Sequence, residues 1–484
     1  MRPTRKGNQN QTMPKITLGL RRNIIIKEIP EGGAELHVGS MVRPLQEASS
    51  SAVKALVRLS AGGATMEELE EIAHQGGWLR SNFPHYYEKL SKLGYITWSI
   101  EAEGKRVARL EVMVPGVELS LPEIPPDQRF VLSRFAFSRC LNNKTVIETP
   151  LKPVRLELEH WLGSALWGLL SRPVNSHQLS GAIPDANPTT VKMLLQLFHA
   201  AAVVQELNAT EGDVPEECDQ ALRQWEFHDL LFHSRTRTGR HDYPLGATFR
   251  FQPEIQPLPA CKPAMSGEVI DLYKPDLEGL KKEDSPFTLV LEERRSMRGY
   301  SPEPITIYQL GEFLYRTARV QKTTLADPKR GNMYDVSIRP YPSSGACHAL
   351  ETYLVVGECD GLDTGLYHYN PFGHYLVKLS GENRHIELIL ENAEDSTGRQ
   401  CYPQVFISIA ARFQRLSWKY SSISYSLLLK DVGVLLQTMY LVSTAMNLAP
   451  CALGTGHSEW LCRAAGLNYL EESPVGEFML GSKI

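Results

Sequence analysis

The sequence lacks three features that would place it in a common class of protein. Its eight cysteines form no C-x-x-C pair, which argues against zinc, iron–sulfur and dithiol redox sites and indicates thiols in a reducing compartment. Lys+Arg (51) and Asp+Glu (55) nearly balance, so general polyanion binding is not expected. The most apolar stretch, Val432–Leu453, contains polar residues and Pro450, whereas a spanning helix needs about 20 mostly apolar residues. We therefore expect a buried helix in a soluble cytoplasmic protein.

The common nucleotide-binding and hydrolase motifs are also missing. The chain has no G-x-G-x-x-G after a strand, no G-x-x-x-x-G-K-[ST], no H-E-x-x-H and no G-x-S-x-G. Dinucleotide binding on a Rossmann fold, P-loop use of nucleotides, zincin proteolysis and α/β-hydrolase chemistry therefore lose support.

The N-terminal half begins with a pattern of three helices and two strands. Helices are predicted over Ser51–Ser60, after a capping box at Thr65, and from Asn82 to Gly94. Alternating apolar residues then predict strands at Ile96–Ile100 and Ala108–Val114. Three helices and a β-hairpin predict a winged helix.

The same order recurs about a hundred residues later. A helix is predicted over Leu156–Leu170, a short segment near Asn175–Ser180, and a helix capped at Thr189 or Thr190. Residues 51–115 contain eight Lys/Arg and eight Asp/Glu, so the local charge does not favour DNA binding. A neutral winged helix with an open strand edge is better suited to holding an extended peptide by strand addition, although a simple spacer or dimer scaffold is the alternative.

The C-terminal half is predicted to be an α+β domain after a proline-rich boundary between Pro253 and Pro286. Thr306 and Gln309 form a capping box for a helix, and a long buried helix is predicted over Ile423–Asn447. Strands are predicted at Thr352–Val356, Gly365–Tyr369, Tyr375–Leu379, Val405–Ala410 and Glu477–Leu480. The predicted organisation is a tail (1–20), two winged-helix domains (21–122 and 123–220), a connector (221–285) and the α+β domain (286–484).

Four short segments contain residues that could bind a ligand. Three guanidiniums and a hydroxyl, Arg294, Arg295, Ser296 and Arg298, could clamp a phosphate, although a short basic run alone more often forms a solvated surface. Two glycine-bearing loops could bring backbone close to a ligand, although either alone is only a turn. They are Pro342-Ser343-Ser344-Gly345 and Leu453-Gly454-Thr455-Gly456. The segment Trp225–Thr248 is dense in histidine, but the five-residue step from His228 to His233 favours structural hydrogen bonds over a metal site, as we also expect for Asp229 and His241.

Taken together, these segments resemble the flavin-dependent nitroreductase superfamily, and within it the SagB-type dehydrogenases, which are azoline oxidases that mature ribosomally made peptides. The resemblance rests on RRSMRGYS at 294–301, YPSSGACHALETYLVV at 341–356, GLYHYN at 365–370, ARFQRLSWKYSSISYSLLLKDVG at 411–433 and NLAPCALGTG at 447–456. Residues 225–248 resemble the region that precedes the catalytic domain in this group. The predicted winged helices are similar to peptide-binding modules fused to cyanobactin-type oxidases.

The resemblance implies FMN as cofactor and a role for each matching residue. It implies that Arg294, Arg295, Ser296 and Arg298 hold the FMN phosphate and ribityl chain, with Lys483 the only basic residue near the end of the chain that could add a contact. It implies that Ser343, Ser344 and Gly345, after Pro342, reach FMN from the other subunit of a homodimer. Gly454, Thr455 and Gly456, after Leu453, match the loop that faces the isoalloxazine edge, and Lys419-Tyr420 matches a pair implicated in azoline oxidation.

Azoline oxidation requires these kinds of residue. Removing a hydride and a proton from adjacent ring carbons needs a hydride acceptor, which FMN provides, and a base. Lys419 could act as the base if an apolar pocket lowers its pKa, or Tyr420 could act if the lysine ammonium favours its phenolate. Trp418 and Tyr425 could line the substrate site or belong to the core.

The expected activity is FMN-dependent dehydrogenation of thiazoline or oxazoline rings in a precursor peptide, with molecular oxygen as the acceptor. An NAD(P)H-dependent nitro- or quinone-reductase is the first alternative, and it would not need the N-terminal half. A flavin-binding winged-helix regulator that binds DNA is the second, and it predicts strongly salt-dependent duplex binding.

Overall fold

The computed structural model of the chain describes residues 13–29, 33–45, 47–75, 82–207, 213–252 and 254–484. The chain divides into two compact units, Met1–Tyr243 and Pro244–Ile484. This boundary lies inside the segment predicted as a connector, 221–285. The first part of that segment therefore belongs to unit 1 and the rest to unit 2.

The first half of unit 1 contains the predicted three helices and hairpin, preceded by four strands. The Thr65 side chain accepts a hydrogen bond from the Glu68 backbone N–H at the start of the second helix, as predicted for a cap. The elements are β1 (Lys15–Leu20), β2 (Ile24–Glu28), β3 (Ala34–Val38), β4 (Met41–Leu45), α1 (Ser50–Ala61), α2 (Met66–His74), α3 (Phe83–Lys92), β5 (Ile96–Ala102) and β6 (Lys105–Val112).

The second half of unit 1 follows a similar order of elements. They are β7 (Arg129–Leu132), β8 (Phe137–Leu141), β9 (Lys144–Glu148), β10 (Val154–Leu158), α4 (Trp161–Leu169), β11 (Val174–Asn175), α5 (Ser176–Ala182), α6 (Pro188–Ala200), β12 (Val204–Glu206), α7 (Pro215–Cys218) and α8 (Phe227–Arg235).

The two halves of unit 1 share a topology more extensive than the sequence predicted. Each contains a strand, a three-stranded meander, three helices and a closing strand antiparallel to the first strand: β1 with β5, and β7 with β12. In both halves, the segment after the first helix also pairs with the first strand. In the first half Ala64 forms a β-bridge with Leu18 of β1, and in the second half β11 pairs with β7. The halves then differ, because β10 of the second meander pairs with β6 whereas β4 of the first is a sheet edge. The sheet containing β1 and β6 has the order β1-β5-β6-β10-β9-β8.

Three local predictions in unit 1 are wrong. Residues 15–20, predicted as tail, form β1 with four buried residues, while the tail residues 1–12 lie outside the described part. The helix predicted over Leu156–Leu170 begins only at Trp161, because residues 154–158 form β10 between β6 and β9. The cap of α6 is Asn187, whose side chain accepts from the Thr189 backbone N–H, rather than Thr189 or Thr190.

Unit 2 is an α+β fold around a seven-stranded antiparallel sheet of order β14-β19-β18-β17-β20-β23-β22. The predicted capping box at Thr306 and Gln309 is present. The elements are β13 (Gly246–Ala247), β14 (Glu268–Asp271), α9 (Leu277–Glu283), α10 (Phe287–Glu293), α11 (Ile307–Ala318), β15 (Lys322–Thr324), β16 (Val336–Ile338), β17 (Leu350–Val356), β18 (Gly365–Asn370), β19 (Tyr375–Gly381), α12 (Arg384–Ser396), β20 (Val405–Arg412), α13 (Gln414–Ser417), β21 (Tyr420–Ser421), α14 (Ser424–Ala445), β22 (Leu448–Leu453), α15 (Ser458–Ala465) and β23 (Glu472–Ser482).

Helices cover both faces of this sheet. Phe313 of α11 and Leu435 of α14 pack with Phe478 of β23 on one face, and Ile389 of α12 and Leu461 of α15 pack on the other. In the described residues, α14 is the single helix long and apolar enough to cross a membrane by length and composition. Here it packs against α11, β22 and β23. It ends at Ala445, so the second part of the apolar stretch Val432–Leu453 is strand β22 rather than helix.

Candidate functional site

Three polar side chains converge on the loop at Gly345. Lys419 follows the short helix α13, and its Nζ donates a hydrogen bond of 2.5 Å to the Tyr334 hydroxyl. Tyr334 in turn donates to the Gly345 carbonyl at 2.6 Å. Gly345 has φ +59°, and a Cβ placed there would meet Lys419 Nζ and lie 2.6 Å from the Tyr420 hydroxyl. Only glycine therefore fits this position, and the predicted Lys419-Tyr420 pair lies against the predicted Ser343–Gly345 loop.

The electrostatics of this cluster keep Lys419 charged. Burial lowers the pKa of Lys419, but hydrogen bonds to Tyr334 and Tyr420 outweigh burial, and the pKa is raised overall. Burial raises the pKa of Tyr334, and the hydrogen bond from Lys419 opposes that rise. The surroundings of Lys419 in this chain therefore favour its charged form, and the alternative of a lysine pKa lowered by an apolar flavin pocket stays a prediction.

The loop hydroxyls are fixed by a buried carboxylate that the sequence did not single out. Asp431 of α14 is 5% exposed. It accepts hydrogen bonds from Ser343 Oγ at 2.6 Å, Ser344 Oγ at 2.9 Å and the Ser344 backbone N–H at 3.1 Å. The Ser343 hydroxyl also accepts from the His348 backbone N–H. Pro342, which precedes these serines, is exposed.

The arginine motif is anchored to α14 and β22 through one tyrosine. The Arg294 guanidinium lies 5.3 Å from the centre of the Tyr440 ring, and the Ser296 and Tyr440 hydroxyls are 2.6 Å apart. The Tyr440 hydroxyl also accepts from the Ala452 backbone N–H, and the Met297 N–H donates to the Pro450 carbonyl. The motif therefore runs beside β22, which leads directly into the Leu453–Gly456 loop.

The other two arginines of the motif contact different surroundings. Arg295 and Lys483 line the same small cavity, and Lys483 donates to the Asn447 side chain at 2.9 Å. Arg298 forms a hydrogen bond with Cys451; burial raises the pKa of that thiol, and Arg298 opposes the rise. The guanidiniums of Arg294, Arg295 and Arg298 thus have different surroundings and do not form one cluster. The basic residue that lines the same cavity as Arg295 is Lys483.

The glycine loop after β22 leaves room for a ligand. A Cβ at Gly454 would meet nothing within 4 Å, whereas one at Gly456 would meet the Glu477 carboxyl. Leu453 is the last residue of β22, and Thr455 lies between the two glycines. Bare backbone at Gly454 could lie against a planar ring, and Arg295 and Lys483, which line one small cavity together with Glu293, could bind a phosphate. The residues present therefore fit FMN.

The predicted site residues form two groups in one chain. Asp431 organises the group around Gly345, and Tyr440 organises the group around the arginine motif and the glycine loop. These two residues are nine positions apart on α14, which corresponds to about 13 Å along the helix axis. One chain therefore presents two separate groups of candidate residues, which are called the two partial sites below.

The remaining predicted candidates have structural partners. Trp418 is 5% exposed and its indole N–H donates to the Ile255 carbonyl at 2.6 Å, so it belongs to the core. Tyr425 is 46% exposed and lies near the ring of Phe413. In unit 1, His233 stacks on Trp225, His228 lies 3.6 Å from Asp229, and His241 Nδ1 accepts from the Tyr243 backbone N–H. Within the described ranges, no group of three or more His, Cys, Asp or Glu could hold a metal ion.

Comparison with known proteins assigns two parts of the chain. Residues 130–242 match the family model of the cyanobactin oxidase ThcOx, and residues 291–482 match the nitroreductase family. A curated protein of Methanocaldococcus jannaschii, named as a nitroreductase, is 28% identical over 188 residues, which are 39% of this chain and 85% of that protein.

Two solved structures are similar to about half of the chain. A nitroreductase from Ralstonia eutropha is 20% identical with a TM-score of 0.36, over 50% of this chain and 99% of that one. The Escherichia coli microcin synthetase complex McbBCD, solved with truncated pro-MccB17 bound, is 16% identical with a TM-score of 0.33, over 52% of this chain and 90% of that one. The resemblance predicted from the sequence is confirmed by the two family matches.

Proposed function

We propose that this chain, which matches the cyanobactin oxidase model over residues 130–242 and the nitroreductase family over residues 291–482, is an oxidoreductase that oxidises azoline rings in a ribosomally made peptide with FMN as cofactor. The products are thiazoles or oxazoles, and molecular oxygen is the terminal acceptor. The observation that carries the proposal is the cluster of Lys419, Tyr420 and Tyr334 at Gly345, because it provides proton-handling groups beside a loop that matches a flavin-binding segment.

The proposed reaction removes a hydride and a proton from adjacent carbons of the azoline ring. When bound, FMN supplies the hydride acceptor. We assign proton removal to Tyr420, with the Lys419 ammonium supplying positive charge beside it, because Lys419 is held in its charged form and is a poor base. Tyr334 positions Lys419 by accepting its hydrogen bond. Arg294, Arg295, Ser296, Arg298 and Lys483 would hold the phosphate and ribityl chain, and Gly454 and Gly456 would face the ring.

We propose that two copies of the chain complete the site. The two partial sites on α14 are separated within one chain, and apolar side chains beside them are exposed. On α10, which packs against α14, Phe287, Leu289 and Leu291 are 67%, 44% and 41% exposed, and Leu429 of α14 is 39% exposed. A second copy would bury these residues and bring its Ser343–Gly345 loop to the first copy's arginine motif.

We propose that the peptide binds to unit 1 by adding a strand to β4. The two halves of unit 1 repeat one topology, and in the second half the corresponding strand β10 is paired with β6. In the first half, β4 is the edge of the sheet β2-β3-β4, with Met41 and Val42 about half exposed. Unpaired edge groups favour strand addition. This proposal gives peptide recognition to winged-helix-like modules, and hydrogen exchange is the test. Peptide should protect the backbone N–H groups of β4 that do not bond to β3, with Pro44 having none to protect, and should leave those of the edge strand β8 unchanged.

All eight cysteines are free thiols, which supports a reducing compartment such as the cytoplasm.

The test of the proposed activity is to incubate the FMN-loaded full chain with an azoline-containing peptide in air and to follow the peptide mass. Loss of two hydrogens per ring supports the proposal. Lys419→Ala should keep the flavin spectrum and lose oxidation, whereas Lys430→Ala, which changes an exposed lysine on α14, should retain both. An unchanged peptide, with flavin that is bleached by NAD(P)H, would instead favour the nitro- or quinone-reductase alternative.

A further inference from the structure

A buried carboxyl without a partner lies beside the glycine loop. Glu477 is in the middle of β23 and is 7% exposed. It is directly opposite Ser408 of β20 on one side and Leu453 of β22 on the other, so these three side chains share one face of the sheet. In the described part of the chain it has no hydrogen bond or ion pair. Buried carboxyls usually have such partners, which makes this residue unusual.

The carboxyl packs directly against Gly456. A Cβ at Gly456 would lie 2.6 Å from Glu477 Oε1 and 2.7 Å from its Cγ, so the glycine is required for the loop to pass over this side chain. Gly454, two residues earlier, opens onto free space. Glu477 therefore lies beneath the loop whose exposed backbone we assign to the flavin ring.

The surroundings of Glu477 favour its neutral form. Burial raises the pKa of Glu477 to about 7. The charged groups of α15, which packs on β23, are paired with each other, because Arg463 donates to Glu459 at 3.0 Å. The His457 ring stacks on Trp460, and burial raises the pKa values of the thiols Cys451 on β22 and Cys462 on α15. Arg298 forms a hydrogen bond with Cys451 of β22, and Arg412 of β20 is paired with Glu351. Burial alone accounts for the raised pKa of Glu477.

We propose that Glu477 is a positioning residue for the flavin, and that it must hold a proton for the ring to rest on the Gly454–Gly456 loop. This inference rests on the proposed FMN site. A ring placed on the loop would exclude water from the carboxyl and so disfavour its ionised form further. By linkage, flavin binding and proton binding at Glu477 then strengthen each other, and each unit of additional pKa shift changes the affinity ratio of the two forms tenfold.

The first test measures FMN binding to the full-length apoprotein by quenching of flavin fluorescence from pH 6.5 to 8.5. If bound FMN raises the Glu477 pKa by one unit, the wild-type Kd should increase about five- to tenfold over this range. Glu477→Gln keeps a neutral side chain of the same shape, so its Kd should stay as low at pH 8.5 as at pH 6.5. Glu459→Gln, which removes a nearby exposed carboxylate, should follow the wild type. Parallel pH dependence of Glu477→Gln and wild type would overturn the proposal.

The second test needs no variant. Calorimetry in buffers with different ionisation enthalpies should show that wild-type protein takes up about 0.4 proton per FMN bound at pH 8, for the same one-unit shift. The FMN phosphate, with a second pKa of about 6, is already ionised there and contributes little uptake. FMN binding without proton uptake would contradict the role of Glu477 and leave the proposed function intact. Failure to bind FMN at any pH would contradict both.

Discussion

Replacing Asp431 should release the loop that carries the two serines. The carboxylate accepts three hydrogen bonds from Ser343 and Ser344 and is 5% exposed. A hydrogen bond to a charged group contributes about 1.5–3 kcal/mol. The three bonds share one carboxylate that must itself be desolvated, and two of the donors are hydroxyls that can rotate towards water. We therefore expect Asp431→Ala to lower the free energy of unfolding of unit 2 by about 3 kcal/mol.

The assay is thermal unfolding followed by flavin release, together with FMN affinity. For a unit of this size, a loss of about 3 kcal/mol corresponds to a decrease in Tm of roughly 6–12 °C. Asp431→Asn keeps one acceptor oxygen and should lose less. Asp395→Ala removes an exposed partner of Arg399 on α12 and should change stability by less than about 0.5 kcal/mol. If Asp431→Ala is as stable as Asp395→Ala and binds FMN with wild-type affinity, the hydrogen bonds of Asp431 do not hold the Ser343–Ser344 loop in place.

Three further predictions concern the surroundings of this loop. Gly345→Ala should reduce the rate of peptide oxidation by at least about 100-fold, because the added methyl group would displace Lys419 and Tyr420. The control is Gly331→Ala, at φ +79° with open space around it, which should lower the free energy of unfolding by only about 1 kcal/mol, the cost of its backbone conformation. Tyr334→Phe should lower the pKa of Lys419, because only the hydrogen bond to Tyr420 would then oppose the effect of burial. The alkaline limb of the pH–rate profile should therefore move to lower pH, whereas Tyr308→Phe at an exposed site should leave it in place. Burial and the charges of Arg339 and Arg415 lower the pKa of His348 from 6.5 to about 3. Between these two pH values the unfolded chain binds one more proton than the folded chain, so the free energy of unfolding should fall by about 1.4 kcal/mol for each pH unit of acidification. Denaturant titrations of His348→Gln should lack this contribution, and an identical pH dependence in both proteins would contradict it.

Local sequence signals predicted the elements whose stabilising contacts are local. The caps at Thr65 and Thr306 depend on a side chain and a backbone N–H three residues apart, so the sequence contains the whole interaction. The strand β10 was missed although Val154, Leu156 and Leu158 alternate with Arg155 and Glu157. That alternation is a strand pattern, but the apolar residues that follow in α4 extended the predicted helix over it.

The residues that organise the candidate site could not be predicted from local patterns. Tyr334 lies 85 positions from Lys419, and Asp431 lies 87 positions from Ser344. A tyrosine or an aspartate has no distinctive neighbours in sequence when its role is to accept a hydrogen bond from a distant segment. The family resemblance identified Lys419, Tyr420 and the Ser343–Gly345 loop as candidates. The three-dimensional structure was needed to show that Tyr334 positions Lys419 and that Asp431 positions the loop.

Helix α14 carries one organising residue of each partial site. Asp431 and Tyr440 are both buried, but nine positions are about two and a half turns, which places them on opposite sides of the helix. The exposed residues of α14 include the apolar Leu429 as well as the polar Lys430 and Gln437. In one copy, the sheet and α11 cover one side, while Leu429 remains exposed and the apolar residues of α10 beside it are open to solvent. In the proposed dimer, a single twofold interface would cover this apolar surface and bring the serine loop of one copy to the arginine motif of the other.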